Sequence, residues 1–107
     1  MRRAPPYELV YDPDVRRHLR RITRQHHPLI RRTVEGQLRH EPETETLNRE
    51  PLSRPSALGP AWELRCGPHN QFRVFYRIDS ASRQVRILAI GVKVRDRLMI
   101  AGEEFEL

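Results

Sequence analysis

A chain of 107 residues is long enough for one domain with a core of modest stability, and 37% apolar content with three Phe, three Tyr and one Trp is still that of a globular protein. A net charge of +6 favours a polyanionic partner: nucleic acid, an acidic protein or an anionic membrane surface. No apolar run approaches the roughly 20 residues that span a bilayer, and the lone Cys66 excludes an internal disulfide and a multi-cysteine metal site. The opening MRRAPPYELVYD has no apolar segment long enough for a signal peptide, so a cytoplasmic protein with no membrane partner is expected. Lys93 is the only lysine, so 19 of the 20 cationic side chains are arginine, the side chain suited to bidentate phosphate recognition.

Taken in chain order, Tyr7, Leu9 and Tyr11 alternate with Glu8 and Val10, which predicts a strand over 6–12. Asp12 then supplies a helix N-cap and Pro13 a first-turn proline, with Asp14 beside the positive helix end. Val15, Leu19 and Ile22 recur at helical spacing, so a first helix is expected to run to about Gln25. After His27-Pro28, the repeat of Ile30, Val34 and Leu38 predicts a second helix to about His40. Gly36 inside it costs about 1 kcal/mol relative to alanine. Seven arginines and no acid lie between Arg16 and Arg32, mostly off the apolar stripes. That is the pattern of a solvated helix-pair surface, since the second helix lacks base-reading polar side chains.

Residues 41–60 carry Pro42, Pro51, Pro55 and Pro60 among many polar residues and are expected to form a long ordered loop. Three strands should follow. Trp62, Leu64 and Cys66 point one way and Glu63 and Arg65 the other, because strand side chains alternate. In the next strand Phe72, Val74, Tyr76 and Ile78 share a face, and Arg73, Phe75 and Arg77 take the opposite one. The third strand, 85–92, is apolar on both faces and therefore central, with Val85, Ile87 and Ala89 on one side and Leu88, Ile90 and Val92 on the other. One side of this meander can pack a core, with Cys66 as a buried thiol. The other is expected to present Arg65, Arg73 and Arg77 as one positive patch with Phe75 between them, an arrangement that suits an RNA phosphate and a stacked base. His69, in the turn between the first two of these strands, can swing over that face and act near neutral pH. Residues 95–99 are expected to make a last helical turn before the acidic tail GEEFEL. The fold class is thus α+β: an N-terminal strand, a helical hairpin, a three-stranded antiparallel meander and a short C-terminal helical turn, in a single domain over 1–107.

This order of elements, with the EPL of Glu50 to Leu52, the WELR of Trp62 to Arg65, the FRVFYRID of Phe72 to Asp79 and the VRILAIGVKVRDRL of Val85 to Leu98, resembles the RelE/ParE superfamily of toxins from bacterial type II toxin–antitoxin systems. The resemblance covers essentially the whole chain and implies a small antiparallel-rich sheet packed on a helical hairpin. RelE-like members are ribonucleases that cut mRNA in the ribosomal decoding site. ParE-like members poison DNA gyrase without hydrolysing anything themselves. An acidic antitoxin neutralises both kinds in a hetero-oligomer. By this resemblance Arg73 matches the strand arginine used at the scissile phosphate, and Arg65 a basic position on the preceding strand. Lys93 and Arg95 fall in the segment that supplies another catalytic basic residue, and Glu50 matches the glutamate that the YoeB-like branch uses as general base. Two positions depart from the pattern. Glu63 stands where RelE has a second lysine, and Met99 and Ile100 occupy the region of the RelE-like tyrosine.

RNA cleavage without a metal uses the neighbouring 2′-hydroxyl as nucleophile. It needs a proton acceptor, a proton donor for the 5′-oxygen and cations on the pentavalent phosphate. Arg73, Arg65, Glu50, Lys93 and Arg95 are the candidate catalytic residues. Arg77, His69, Phe75 and Arg97 are candidates for RNA binding. No His/Cys/Asp spacing resembles a zinc site and no glycine-rich phosphate loop is present, so neither a metal nor a cofactor is expected. The leading expectation is a ribosome-dependent mRNA endoribonuclease that inhibits translation, with mRNA on the ribosome and an acidic antitoxin as partners. The alternatives are a ParE-like toxin that binds gyrase and an RNA-binding module of the same fold without activity.

Overall fold

The computed structural model describes residues 4–54 and 56–107; the N-terminal Met1 to Arg3, and Pro55 of the loop, lie outside them. The elements are β1 (Glu8–Tyr11), α1 (Val15–Leu19), α2 (His27–Leu38), β2 (Arg49–Pro51), β3 (Trp62–Cys66), β4 (Phe72–Asp79), β5 (Gln84–Val94), β6 (Arg97–Ile100) and β7 (Glu103–Glu104). Strands β2 to β7 form one antiparallel path in sequence order, and β1 lies parallel to β5. The result is α+β, with the two helices on one side of the sheet. No helix is long and apolar enough to cross a membrane among the described residues.

The helix-side core follows from the two periodicities. Ile30, Val34 and Leu38 from α2 meet Leu64, Cys66, Phe72, Val74 and Tyr76 from β3 and β4, all buried. Trp62 stacks on Tyr76 with ring centroids 6.0 Å apart. Burial pushes the Cys66 thiol up to about 11, as an apolar site does to any group that must ionise. The Gly67 turn that opens the β3–β4 hairpin has φ +83°, and a Cβ there would lie 2.5 Å from the Phe72 ring, so the turn needs glycine on both counts.

The structure corrects the sequence reading in four places. The first helix ends at Leu19 rather than near Gln25. Ile22 still enters the core, but from the turn that follows, and His27 Nε2 lies 3.0 and 2.8 Å from the Leu19 and Ile22 carbonyls. Its N–H thus satisfies acceptors that a continuing helix would have used. Within residues 41–60 there is a strand, β2, anchored by a buried arginine. Arg49 Nη1 donates to the Gln37 and Glu41 carbonyls at 2.6 and 3.0 Å, at the negative end of α2.

The alternation on β5 breaks at Leu88. Phe75 pairs with Ala89 but Tyr76 with Ile87, which leaves Leu88 as the extra residue of a β-bulge. Val85, Ile87 and Ile90 therefore share the helix-side core, while Ala89 joins the opposite side. Finally, residues 95–99 form no helical turn. Arg95 and Asp96 make a two-residue hairpin, with Val94 opposite Arg97 and Arg95 at φ +57°, and the chain returns as β6. The tail adds β7, paired with β6 through Met99–Glu104 and Ile100–Glu103.

Candidate functional site

On the side of the sheet away from the helices, two cross-strand rows run next to each other. One is Glu50–Glu63–Phe75–Ala89, from β2 to β5. The other is Arg65–Arg73–Gly91, from β3 to β5. Directly opposite residues lie about 4.5–5.5 Å apart at Cβ, so the two arginines are side by side and the two acids sit in the next row. Glu63, only 4% exposed, bridges the rows. Its Oε2 accepts from Arg73 Nη1 at 3.3 Å, and its Oε1 is 3.4 Å from Arg65 Nη2. Arg65 is also paired with Glu50 and donates from Nη1 to the Leu47 carbonyl at 3.2 Å. Arg73 Nε donates to the Asn70 carbonyl at 2.9 Å. Two carboxylates and two guanidiniums thus balance in one cluster.

Two other candidates border it. His69 is exposed in the turn beside Asn70, at φ 56°. Lys93 is two residues along β5 from Gly91 and so shares the Arg73 side; its backbone N–H donates to Gln71 at 2.7 Å, tying it to the same end of the sheet. Arg95 is exposed at the tip of the β5–β6 hairpin, beyond Lys93. A hollow of about 220 Å³ next to Glu50 and Glu63 is lined by Pro51, Leu52, Ser53 and Arg54, with Leu107 closing it.

Three expected members are not part of this cluster. The single positive patch divides, because the Arg77 guanidinium is turned away to the Leu58 and Pro60 carbonyls at 2.8 and 3.3 Å. Phe75, between Arg73 and Arg77, is fully buried under Leu52, Leu58 and Phe105 and has no free ring face for a base. Arg97 alternates with Leu98, whose side chain packs beside Phe75, so it falls on the opposite side from Lys93 and pairs at 3.9 Å with Glu104. The sequence placed Glu63 with the arginines but gave no sign that it would be buried between them. Arg73 is correspondingly sheltered, its side chain 16% exposed, rather than directed to solvent.

No family model and no curated protein sequence matches the chain. Among solved structures it is similar to a chain of the toxin–antitoxin complex RelBE2 from Mycobacterium tuberculosis, with a TM-score of 0.66 and 26% identity over 82% of this chain and 99% of that one. This likeness supports a toxin of the RelE family. Here Arg65 and Arg73 are paired across β3 and β4, Glu63 bridges them, and residues 97–100 form strand β6. Ile100 there is buried and Met99 lines a cleft with His18 and Ile22. Among the described residues no three His, Cys, Asp or Glu side chains gather so as to hold a metal ion.

Proposed function

We propose that the protein is the toxin of a type II toxin–antitoxin pair and acts as a RelE-like, ribosome-dependent mRNA endoribonuclease. The observation that carries this reading is the juxtaposition of Arg65 and Arg73, with Glu50 against Arg65. Glu50 takes the proton of a ribose 2′-hydroxyl, and the 2′-oxygen forms a bond to the adjacent phosphorus. Arg73 and Arg65 hold the phosphoryl oxygens as charge builds on them. The bond to the 5′-oxygen breaks, and the leaving oxygen takes a proton from His69 or Lys93, which border the cluster. The partner is an acidic antitoxin, by analogy with the RelBE2 complex and in keeping with the charge of +6. Its affinity falls with salt, because ion pairs at a surface are screened.

A second reading, a ParE-like toxin that binds gyrase, draws support from the internal neutralisation of both arginines by Glu63 and from the absence of a tyrosine near Met99. Expression of wild type and Arg73→Ala with mapping of mRNA 5′ ends separates the two. Cuts in translated mRNA that fall by about a hundredfold or more in the variant support the nuclease. Toxicity without new mRNA ends, accompanied by gyrase-dependent DNA breaks, supports the second reading. Arg73→Ala removes one of the two cations on a buried carboxylate, so a stability loss of about 1–3 kcal/mol accompanies it. Arg73→Lys keeps the charge without the fork and serves as the folded control.

A further inference from the structure

Glu63 is the only buried acid among the described residues. A buried carboxylate is unfavourable unless it is paired and hydrogen-bonded, and this one gives a separate oxygen to each of two guanidiniums. The hairpin does not need this network for its register. Five residue pairs already join β3 to β4, and Leu64, Val74, Cys66 and Phe72 lock the same strands on the helix side. What Glu63 adds is side-chain order. Without it, Arg73 keeps only the Asn70 carbonyl contact among the hydrogen bonds described above.

We propose that Glu63 is a positioning residue, which fixes the guanidinium planes of Arg65 and Arg73 as a preformed phosphate clamp and holds down the clamp's net charge. The proposal rests on the phosphate-contacting role assigned to the two arginines above. With Glu50 and Glu63 in place the cluster is neutral overall, so it attracts a singly charged ground-state phosphate weakly. Its fixed N–H donors are instead spent on the extra charge of the pentavalent transition state. Groups already oriented for that charge need no reorganisation when it develops, which is how a site binds a transition state better than a substrate.

This predicts a split that general damage to the fold does not produce. Glu63→Gln keeps the shape but leaves the cluster with one excess positive charge and an amide N–H facing a guanidinium. On ribosomes programmed with a defined mRNA, its kcat should fall by about tenfold or more while its KM also falls, by about threefold or more. Glu63→Asp keeps the charge but cannot reach both arginines, so its kcat should fall with KM unchanged. Independently of cleavage, the Arg65 and Arg73 Nη–H signals in nitrogen-15 NMR should be separate and slow to exchange in wild type, and should collapse in Glu63→Gln. Affinity for a single-stranded RNA with a 2′-deoxy group at the cut site should rise in Glu63→Gln, with a steeper salt dependence.

A Glu63→Gln protein with kcat within twofold of wild type, or with cleavage and RNA affinity reduced together, overturns the proposal. So do arginine signals that are already averaged in wild type. If wild type cuts no mRNA at all, the nuclease reading fails instead. The NMR and affinity measurements then still decide whether Glu63 orders an anion clamp. Cooperative melting of both variants guards against loss of fold, with Glu63→Asp as the variant that keeps the buried charge.

Discussion

Phe75 and Tyr76 are neighbours on β4, both fully buried, and they enter different cores. Tyr76 points to the helix side, where α2 and four strands build one continuous apolar cluster. Phe75 points to the other side, where among the described residues Ala89, Leu98 and Ile100 complete a smaller apolar cluster with it. The remaining cover there comes from segments without a helix or a long strand: Leu52 and Leu58 from the loop, Ala101 and Phe105 from the tail. The side covered by regular elements is largely apolar, with Arg49 and His18 its buried polar side chains among the described residues. A side covered by short irregular segments closes only in part, and the charged rows of Glu50, Glu63, Arg65 and Arg73 occupy the part left over. The candidate site lies where the second core stops.

If the far-side cluster is a true core, Phe75→Ala should cost about 3–5 kcal/mol, comparable with Leu64→Ala on the helix side at about 2–5 kcal/mol. Urea unfolding of the two variants makes the comparison. A cost below about 1 kcal/mol for Phe75→Ala would mean that loop and tail collapse onto the gap, and that the far side is a cover rather than a core. The next test stays on the helix side. Tyr76 donates its hydroxyl to the Pro42 carbonyl at 2.8 Å, and burial pushes that hydroxyl's pKa up, so it remains a donor well into alkaline pH. Tyr76→Phe keeps the ring and leaves Pro42 without its partner, for an expected loss of about 1–3 kcal/mol in the same unfolding measurement.

His18 gives a graded effect that belongs to the helix side alone. β1 ends opposite Ile87 and β6 pairs only with Val92 to Val94, so the middle of β5 has no strand partner on that edge. There Ile90 N–H donates to His18 Nδ1 at 3.3 Å. Burial lowers the pKa of His18 below its ordinary 6.5, with the nearby Arg17 charge acting in the same direction and Asp14 and Asp12 against it. The folded state therefore binds this proton less readily than the unfolded state. Its contribution to stability is complete above the unfolded value near 6.5 and is lost as pH falls through the lower folded value. Melting temperature should decline on acidification from pH 7, and His18→Gln should flatten that part of the profile. An unchanged slope in the variant would show that another group controls it.

The helix side was largely legible because its periods are strong: α2 from Ile30, Val34 and Leu38, and β3 and β4 from strict alternation. Leu88 was not legible, because β5 is apolar in both phases and an inserted residue changes no pattern. Residues 97–100 were too few to distinguish a strand from a helical turn by period, and only their pairing with β5 decides it. The strand at Arg49 was hidden by its own polarity, since its burial depends on the Gln37 and Glu41 carbonyls, distant in sequence. For the site, alternation put Glu63, Arg65, Arg73 and Arg77 on one face. The diversion of Arg77 was invisible because it is decided by two carbonyls in the loop.

The smallest expected change tests whether the two sides are separable. Gly36 lies on the exposed side of α2, and a Cβ placed there meets nothing within 4 Å. It is not among the glycines with positive φ, so alanine fits the native backbone. Gly36→Ala removes backbone freedom from the unfolded chain and restores helix propensity, for a gain of about 0.4–1 kcal/mol. The residue is on the opposite side of the sheet from Glu50, Glu63, Arg65 and Arg73. A stabilised helix side should therefore leave toxicity and any mRNA cleavage at wild-type levels while the melting temperature rises. A fall in activity that tracks the rise in stability would join the two sides after all. It would mean that the charged rows need motion of the sheet against α2, and that the boundary between the cores is part of the working mechanism.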